Sequence, residues 1–467
     1  MDGKEISNDS SQAVYSANDI VFYLEGQDFT YGEGTKEDEH SQKEADAHTV
    51  VHITKPGKYV LSGELSLGQI AVDLGKDAKE DPEAVVTLIL NGVDITCEVA
   101  PAVIFYDVYE PFHDVKEKEA TKDVDTSEAG ANILIADDTQ NNIQGSYVAK
   151  IYKSCELNEA GTEIVDSKKL HKYDGAFYSK RTMNMNGGDK GNGILNIKAE
   201  NEGLNSELHL TINGGVINIT SGNDGINTNE DNISVTTING GSLNVVCDGS
   251  TGEGDGIDSN GWLVINGGSL TSQACATSMD AGIDSDKGIF INGGKVAASG
   301  NMFDHIAGGE QTYAVFNFTS KQNDTYVLKN ADGEVAFDYV PTNAFTYLIV
   351  AGDEIVPSDY TFWQGNTQLM ASAVENMPSG MFQGKRPEKP EGETPEGELP
   401  EMPNGKGQKG ERPEFPEGEM PEGELPNGMM PPDIMDGNMP VSGETSTTFT
   451  IEKGGNQFAY VSPMESE

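Results

Sequence analysis

Arginine is nearly absent from this 467-residue chain: three are present, Arg181, Arg386 and Arg412, and only Arg181 lies near its patterned middle. Lysine and arginine together number 30 against 77 aspartates and glutamates, a formal charge of -47, so nucleic acid and anionic membranes are excluded as electrostatic partners. An acidic ligand would need a cation between itself and the protein. The four cysteines, Cys97, Cys155, Cys247 and Cys275, are too few and too scattered for a disulfide framework or a zinc site. No apolar run is long enough to span a bilayer, and Met1-Asp2-Gly3-Lys4 opens no signal-peptide hydrophobic region. A surface protein would therefore be present here in a processed form. Helical periodicity is missing too.

What the chain does have is a repeat. Ile-Asn-Gly-Gly begins at Ile212, Ile238, Ile265 and Ile291, placing Asn213, Asn239, Asn266 and Asn292 at intervals of 26, 27 and 26 residues. Intervals of that size mean stacked units rather than one compact core. Each unit carries a second marker: Gly203-Leu204-Asn205, Gly225-Ile226-Asn227, Gly256-Ile257-Asp258 and Gly282-Ile283-Asp284. Apolar residues alternate before the corner, as in Leu210 and Ile212, and after it, as in Ile217 and Ile219. That is strand periodicity with one face buried. Short strands joined by Gly/Asn corners predict an all-β parallel β-helix whose successive turns stack at roughly 4.8 Å. The Asn-Gly-Gly corner itself has a structural explanation: both residue types tolerate positive φ, and stacked asparagines hydrogen-bond along the ladder.

Five segments follow from the pattern. Residues 1–48 are polar, with a possible first strand at Ile20 to Leu24 and a charged loop from Gly32 to Asp46. Residues 49–300 form the β-helix, its winding expected from about Asn91-Gly92-Val93-Asp94-Ile95; Lys116 to Glu128 reads as a solvated loop and Ile151 to Lys172 as a second excursion. Residues 301–377 lose the period and read as antiparallel strands capping the open end. Residues 378–440 are a Pro/Gly/Glu/Met-rich stretch that cannot bury a core, and strand patterning resumes in 441–467 as part of the cap.

Carboxylates gather at the second marker. Asp224, Asp255, Asp258, Asp280, Asp284 and Asp286 are the candidate metal ligands, with Asp304 beyond them. Stacking makes Asp258 and Asp284 near neighbours, and calcium, which takes six to eight oxygens, relieves the resulting repulsion. The alternation turns Trp262 and Phe290 outward; with Tyr178 they are candidate platforms for a sugar ring, unless the cap or a loop covers them. Catalysis has thin support. A lyase needs a strong base beside its calcium, and only Lys287 or Arg181 could serve.

The run Pro56-Gly57-Lys58-Tyr59-Val60-Leu61-Ser62-Gly63, the segment Val86 to Thr96 and the Ile-Asn-Gly-Gly and Asp-Gly-Ile turns resemble the carbohydrate-binding β-helix family of cellulolytic and gut anaerobes. The resemblance covers roughly Val50 to Gly300. It implies a right-handed, pectate-lyase-like β-helix, bound Ca2+, export to the cell surface, and binding of cellulose or acidic sugars such as polygalacturonate. Departures stand at Ala281 and Glu202, where the family's Asp is replaced, and at the Gly249 to Gly254 insertion. The expectation is a monomeric, extracellular, non-catalytic polysaccharide-binding protein. A calcium-dependent lyase and a spacer or adhesin without sugar affinity are the alternatives.

Overall fold

Strands one repeat apart carry the same pattern of apolar and polar residues, so each can pair with its own counterpart in register. The computed structural model describes residues 6–20, 41–148, 152–157, 164–169, 173–374 and 445–463. Strands dominate these residues, and the one α-helix among them is the six-residue Gln42–Ala47. The chain is all-β.

Successive repeats each contribute one strand to three parallel ladders. The first joins Gly175–Ser179, Glu202–Ser206, Ile226–Thr228 and Ile257–Ser259. The second joins Met183–Gly187, His209–Ile212, Val235–Ile238, Trp262–Ile265 and Gly288–Ile291. The third joins Ile194–Ala199, Val216–Ser221, Ser242–Cys247, Ser269–Gln273 and Lys295–Gly300. Ile212, Ile238, Ile265 and Ile291 are register partners and all are buried. Cys247 aligns with Ser221, and Cys275 lies beyond the partner strand's paired residues, so both thiols stay free.

The corner between the second and third ladders explains its own sequence. Asn292 Nδ2 donates to Asn266 Oδ1 at 2.8 Å, Asn266 to Asn239 at 2.9 Å, Asn239 to Asn213 at 2.9 Å and Asn213 to Asn186 at 2.9 Å. Asn186 extends the amide ladder by one rung past the motif, because Met185 replaces its isoleucine. The second glycine of each corner has φ between 83° and 94°, at Gly215, Gly241, Gly268 and Gly294, a region closed to most side chains.

Pairing begins earlier than the sequence suggests. Thr49–Ile53 already pairs in parallel with Gly68–Asp73, and Gly57–Leu65 with Val86–Thr96, which runs straight through Asn91 and bends at Gly92. Ahead of them Val14–Ala17 lies antiparallel on Thr49–Ile53. The expected strand at Ile20 to Leu24 falls largely outside the described residues. The end of the expected charged loop is helical instead: the Glu44 N–H donates to Ser41 Oγ at 3.3 Å and the Ser41 N–H to Glu44 Oε2 at 2.6 Å, a capping box. Of the second excursion, Tyr152–Leu157 and Ile164–Lys169 pair as an antiparallel ribbon.

The Lys116 to Glu128 segment is a strap rather than a free loop. Upstream, Glu110 accepts from the Thr182 N–H at 2.6 Å, and Phe112 sits edge-on to His209 at 4.6 Å. Further along, Lys122 lies 5.1 Å from the Phe290 ring centre, and Thr126 Oγ1 is 2.7 Å from both Asn184 Oδ1 and Thr211 Oγ1. Its charged side chains face water while these few groups tie it across the second ladder.

Past Gly300 the second ladder gains one more parallel strand, Ile306–Gly308 on Gly288–Ile291, and then the pairing changes sense. Phe345–Ala351 lies antiparallel on Lys295–Gly300 and on Tyr313–Gln322, which in turn pairs in parallel with Gly455–Pro463. The last edge of the third ladder is thereby satisfied. A separate aromatic core, including Phe316, Phe345, Phe362, Phe449 and Phe458, packs behind it. Residues 378–440 lie outside the described part.

Ile238 is fully enclosed between two like rungs, so Ile238→Ala should cost about 2–5 kcal/mol. Equilibrium urea unfolding checks this, and a loss below about 1 kcal/mol would mean the rung collapses around the cavity.

Candidate functional site

The same register that stacks isoleucines stacks carboxylates. On the first ladder Asn205, Asn227 and Asp258 are register partners, and the next repeat follows with the Asp284 N–H donating to Ile257 O at 2.7 Å. Three residues earlier in each repeat stand Glu202, Asp224 and Asp255, all buried. The backbone holds them from rung to rung. The Asp255 N–H donates to Asp224 Oδ1 at 2.7 Å, the Ala281 N–H to Asp255 Oδ1 at 2.6 Å, and the Gly254 N–H to Asp280 Oδ2 at 2.6 Å. Ser278 Oγ also donates to Asp280.

The charges that act on these buried groups are mostly other acids. Burial first, and then Asp174, pushes Glu202 up to about 8, although Asn205 and Asn227 donate to it. Asp224 is raised well above the carboxylate range by burial, then by Asp258 and Glu202. Asp255 is raised likewise by burial, then by Asp224, Asp258 and Asp284. Asp304 is pushed up to about 8 by burial, then by Asp284 and Asp286. The charges that act most strongly on all four are acids.

Asp224, Asp255 and Asp258 thus lie together in one buried face, with Asp280 tied to it through Gly254, Asp284 half-buried beside it and Asp286 exposed at its rim. Glu202 and Asp174 belong to the same face and were not among the expected ligands. Glu202 had a readable signal, since it precedes Gly203 as Asp224 precedes Gly225.

The aromatic candidates divide. Trp262 and Phe290 are half-buried on the outer side of the second ladder, two positions apart in register, and Lys122 of the strap sits over Phe290. Tyr178 corrects the expectation of a platform. Its ring is 1% exposed, packs 4.8 Å from Tyr173, and its hydroxyl donates to Glu207 Oε1 at 2.8 Å. Tyrosine in an interior needs a partner for its hydroxyl, and Glu207 supplies it. The two candidate bases are engaged elsewhere. Arg181 pairs with Asp107, and Lys287 Nζ lies 3.8 Å from Glu117 Oε1.

A family model described as carbohydrate-binding domain-containing protein matches residues 47–371, well over half of the chain. The chain belongs to that family. The matched span of this carbohydrate-binding-domain protein takes in all three ladders, the acidic face and most of the C-terminal sheet. Among solved structures, the polysaccharide lyase-like protein from C. thermocellum, a gadolinium derivative, is similar at 22% identity and a TM-score of 0.33. The match covers 56% of this chain and 83% of that one, and is too distant to carry a functional argument. No curated protein matches the sequence. No helix among the described residues is long and apolar enough to cross a membrane.

The donors at the acidic face suit a hard cation. They are all oxygens, and two are buried without a hydrogen-bond partner, Asn227 Oδ1 and Asp304 Oδ2. No three His, Cys, Asp or Glu side chains among the described residues converge on one point, so any cation here would draw on backbone carbonyls and water as well.

The raised carboxyls set a pH dependence for the metal-free protein. A carboxyl raised in the fold stabilises it fully below its ordinary value, and that contribution disappears as pH climbs through the folded value. For Glu202 and Asp304 that folded value is about 8. In chelator the melting midpoint should therefore fall between about pH 5 and about pH 9. Calorimetry checks this; a midpoint that rises over the same interval would mean the acids are not held together.

Proposed function

We propose that this is a non-catalytic, calcium-binding protein of the cell surface that holds polysaccharide, and that its three ladders wind as a right-handed parallel β-helix. The intended ligand is an acidic glycan such as polygalacturonate, with cellulose as the other polymer the family resemblance suggests. One observation carries the reading: buried carboxylates on consecutive rungs raise one another, and the charges that act most on them are acids. Burying several such groups ionised is costly. Calcium held along the column Asp224, Asp255, Asp258, Asp280 and Asp284, with Glu202 beside it, would meet no more than two of these carboxylates at any one point; backbone carbonyls and water would complete its shell, offsetting that cost and leaving a position that a uronate carboxylate can take. Asp286 would meet the ligand at the rim.

Membership of a carbohydrate-binding family supports the polysaccharide half of the reading. The acidic surface supports the bridging half, because a polyuronate and a chain of formal charge -47 repel without a divalent ion between them. Residues 49–300 would be the coil, with 301–377 and 441–467 its cap. Export fits a polymer found outside cells. A lyase would require Arg181 or Lys287 at the calcium, and the pairing of each with another acid disfavours that alternative.

Affinity electrophoresis of the full chain through polygalacturonate, with calcium and with chelator, tests the reading. Retardation only with calcium, and no unsaturated uronide by absorbance, is the expected outcome. Unsaturated product would make the protein a lyase, and no retardation on any glycan would leave a spacer. Asp224→Asn with Asp255→Asn should raise the metal-free melting midpoint near pH 8 and abolish the rise caused by calcium; an undiminished calcium shift would place the ion elsewhere.

A further inference from the structure

A second surface has the shape and chemistry of a ligand site and owes nothing to the acidic face. Between the strap and the second ladder lies an open groove of about 660 Å³, floored by Asn184, Thr211, Thr237 and Val264 and flanked by the amide ladder. Next to it a cavity of about 770 Å³ opens between the glycine corners and the C-terminal sheet, against Phe337. Asn266 lines both, and the groove alone makes a track past the amides of five rungs, from Asn186 to Asn292.

Asn213, Asn239 and Asn266 each use one N–H and one carbonyl lone pair on neighbouring rungs, and Asn292 uses one N–H. An amide has two of each. Asn213, Asn239, Asn266 and Asn292 are exposed, so each keeps a donor and an acceptor for a ligand. These repeat at the rung spacing of roughly 4.8 Å, about the length of one pyranose unit. A linear polymer of hydroxyl-bearing rings can meet such an array with the same group at each step. The wall is fixed in advance, because Thr126 ties the strap to Asn184 and Thr211. Preorganisation of that kind lowers the entropy lost on binding.

Charge decides the class of polymer. The lysines of the track are already paired, Lys122 Nζ with Asp123 at 2.6 Å and Lys295 Nζ with Asp338 at 2.7 Å. Asp353 and Glu354 stand at the far wall and would repel a polyuronate. We propose that this track is a second binding site, for a linear uncharged polysaccharide lying across successive rungs, distinct from the calcium-dependent site proposed above.

Calorimetric titration of the full chain with xylohexaose, mannohexaose and cellohexaose, in chelator so that the acidic face is silent, tests it. At least one hexasaccharide should bind, at least about tenfold more tightly than the matching disaccharide, because only the longer chain crosses Asn266. Thr237→Trp, which fills the groove beside Asn239, should weaken it at least about tenfold. Hydrogen exchange of the unaltered protein should slow at 122–127 and 237–239 when the sugar is bound, a readout that stands even if Thr237→Trp does not fold. Absence of binding by all three, unchanged affinity in Thr237→Trp, or protection confined to 224–228 and 255–259 would overturn the proposal. Loss of calcium-dependent polygalacturonate binding leaves these outcomes unaffected, so the two sites fail separately.

Discussion

Register is the constraint on which everything else in this molecule rests. Parallel pairing in register sets like residues over one another, rung after rung. For Ile212, Ile238, Ile265 and Ile291 this gives a dry apolar column. For Asn186 to Asn292 it gives a chain of amide hydrogen bonds that also pins the corner. Applied to Asp224, Asp255 and Asp258 the same operation sets like charges against one another. Apolar and amide columns gain from identity, whereas an acidic column loses by it unless a proton or a cation intervenes.

Stacked rungs create two further problems, an exposed edge at the end and a flat polar sheet along the side. The C-terminal strands answer the first by adding Phe345–Ala351 to the last rung and packing an aromatic core behind it. The strap turns the second into an opportunity. By crossing the second ladder from Glu110 to Thr126 it converts part of a sheet face into a walled groove while leaving the amide corner open. The acidic face and this groove lie on different ladders, so one repeat can present two chemistries at once.

Much of this was legible in the chain because repeats report register directly. The alignment of Asp258 behind Asn227, the corner amides and the strands Val335–Tyr339 and Phe345–Ala351 all follow from counting intervals and alternation. What escaped has physical causes. The early rungs at Thr49–Ile53 and Gly57–Leu65 lack the corner motif, so nothing marks their interval, although they pair as the later ones do. Asn186 was hidden by Met185, which fills the isoleucine column equally well. The short helix was announced by Ser41 and Glu44, whose spacing is a capping box, but the charge density around it reads as loop. Tyr178 was grouped with Trp262 and Phe290 as a platform, yet sequence says nothing about what folds over a face, and Tyr173 and Glu207 enclose it. The strap was misread for the same reason: its composition is that of a solvated loop, and a few long-range contacts, invisible in sequence, tie it down.

Register itself can be measured in solution by oxidative cross-linking. Asn218 and Asn244 are partners on neighbouring rungs of the third ladder, with Val246 two positions further along. Partners one rung apart lie within disulfide range, at roughly 4.8 Å between backbones. The account predicts that Asn218→Cys with Asn244→Cys closes a disulfide on mild oxidation while Asn218→Cys with Val246→Cys does not; the reverse result, or equal yields from both pairs, would contradict it.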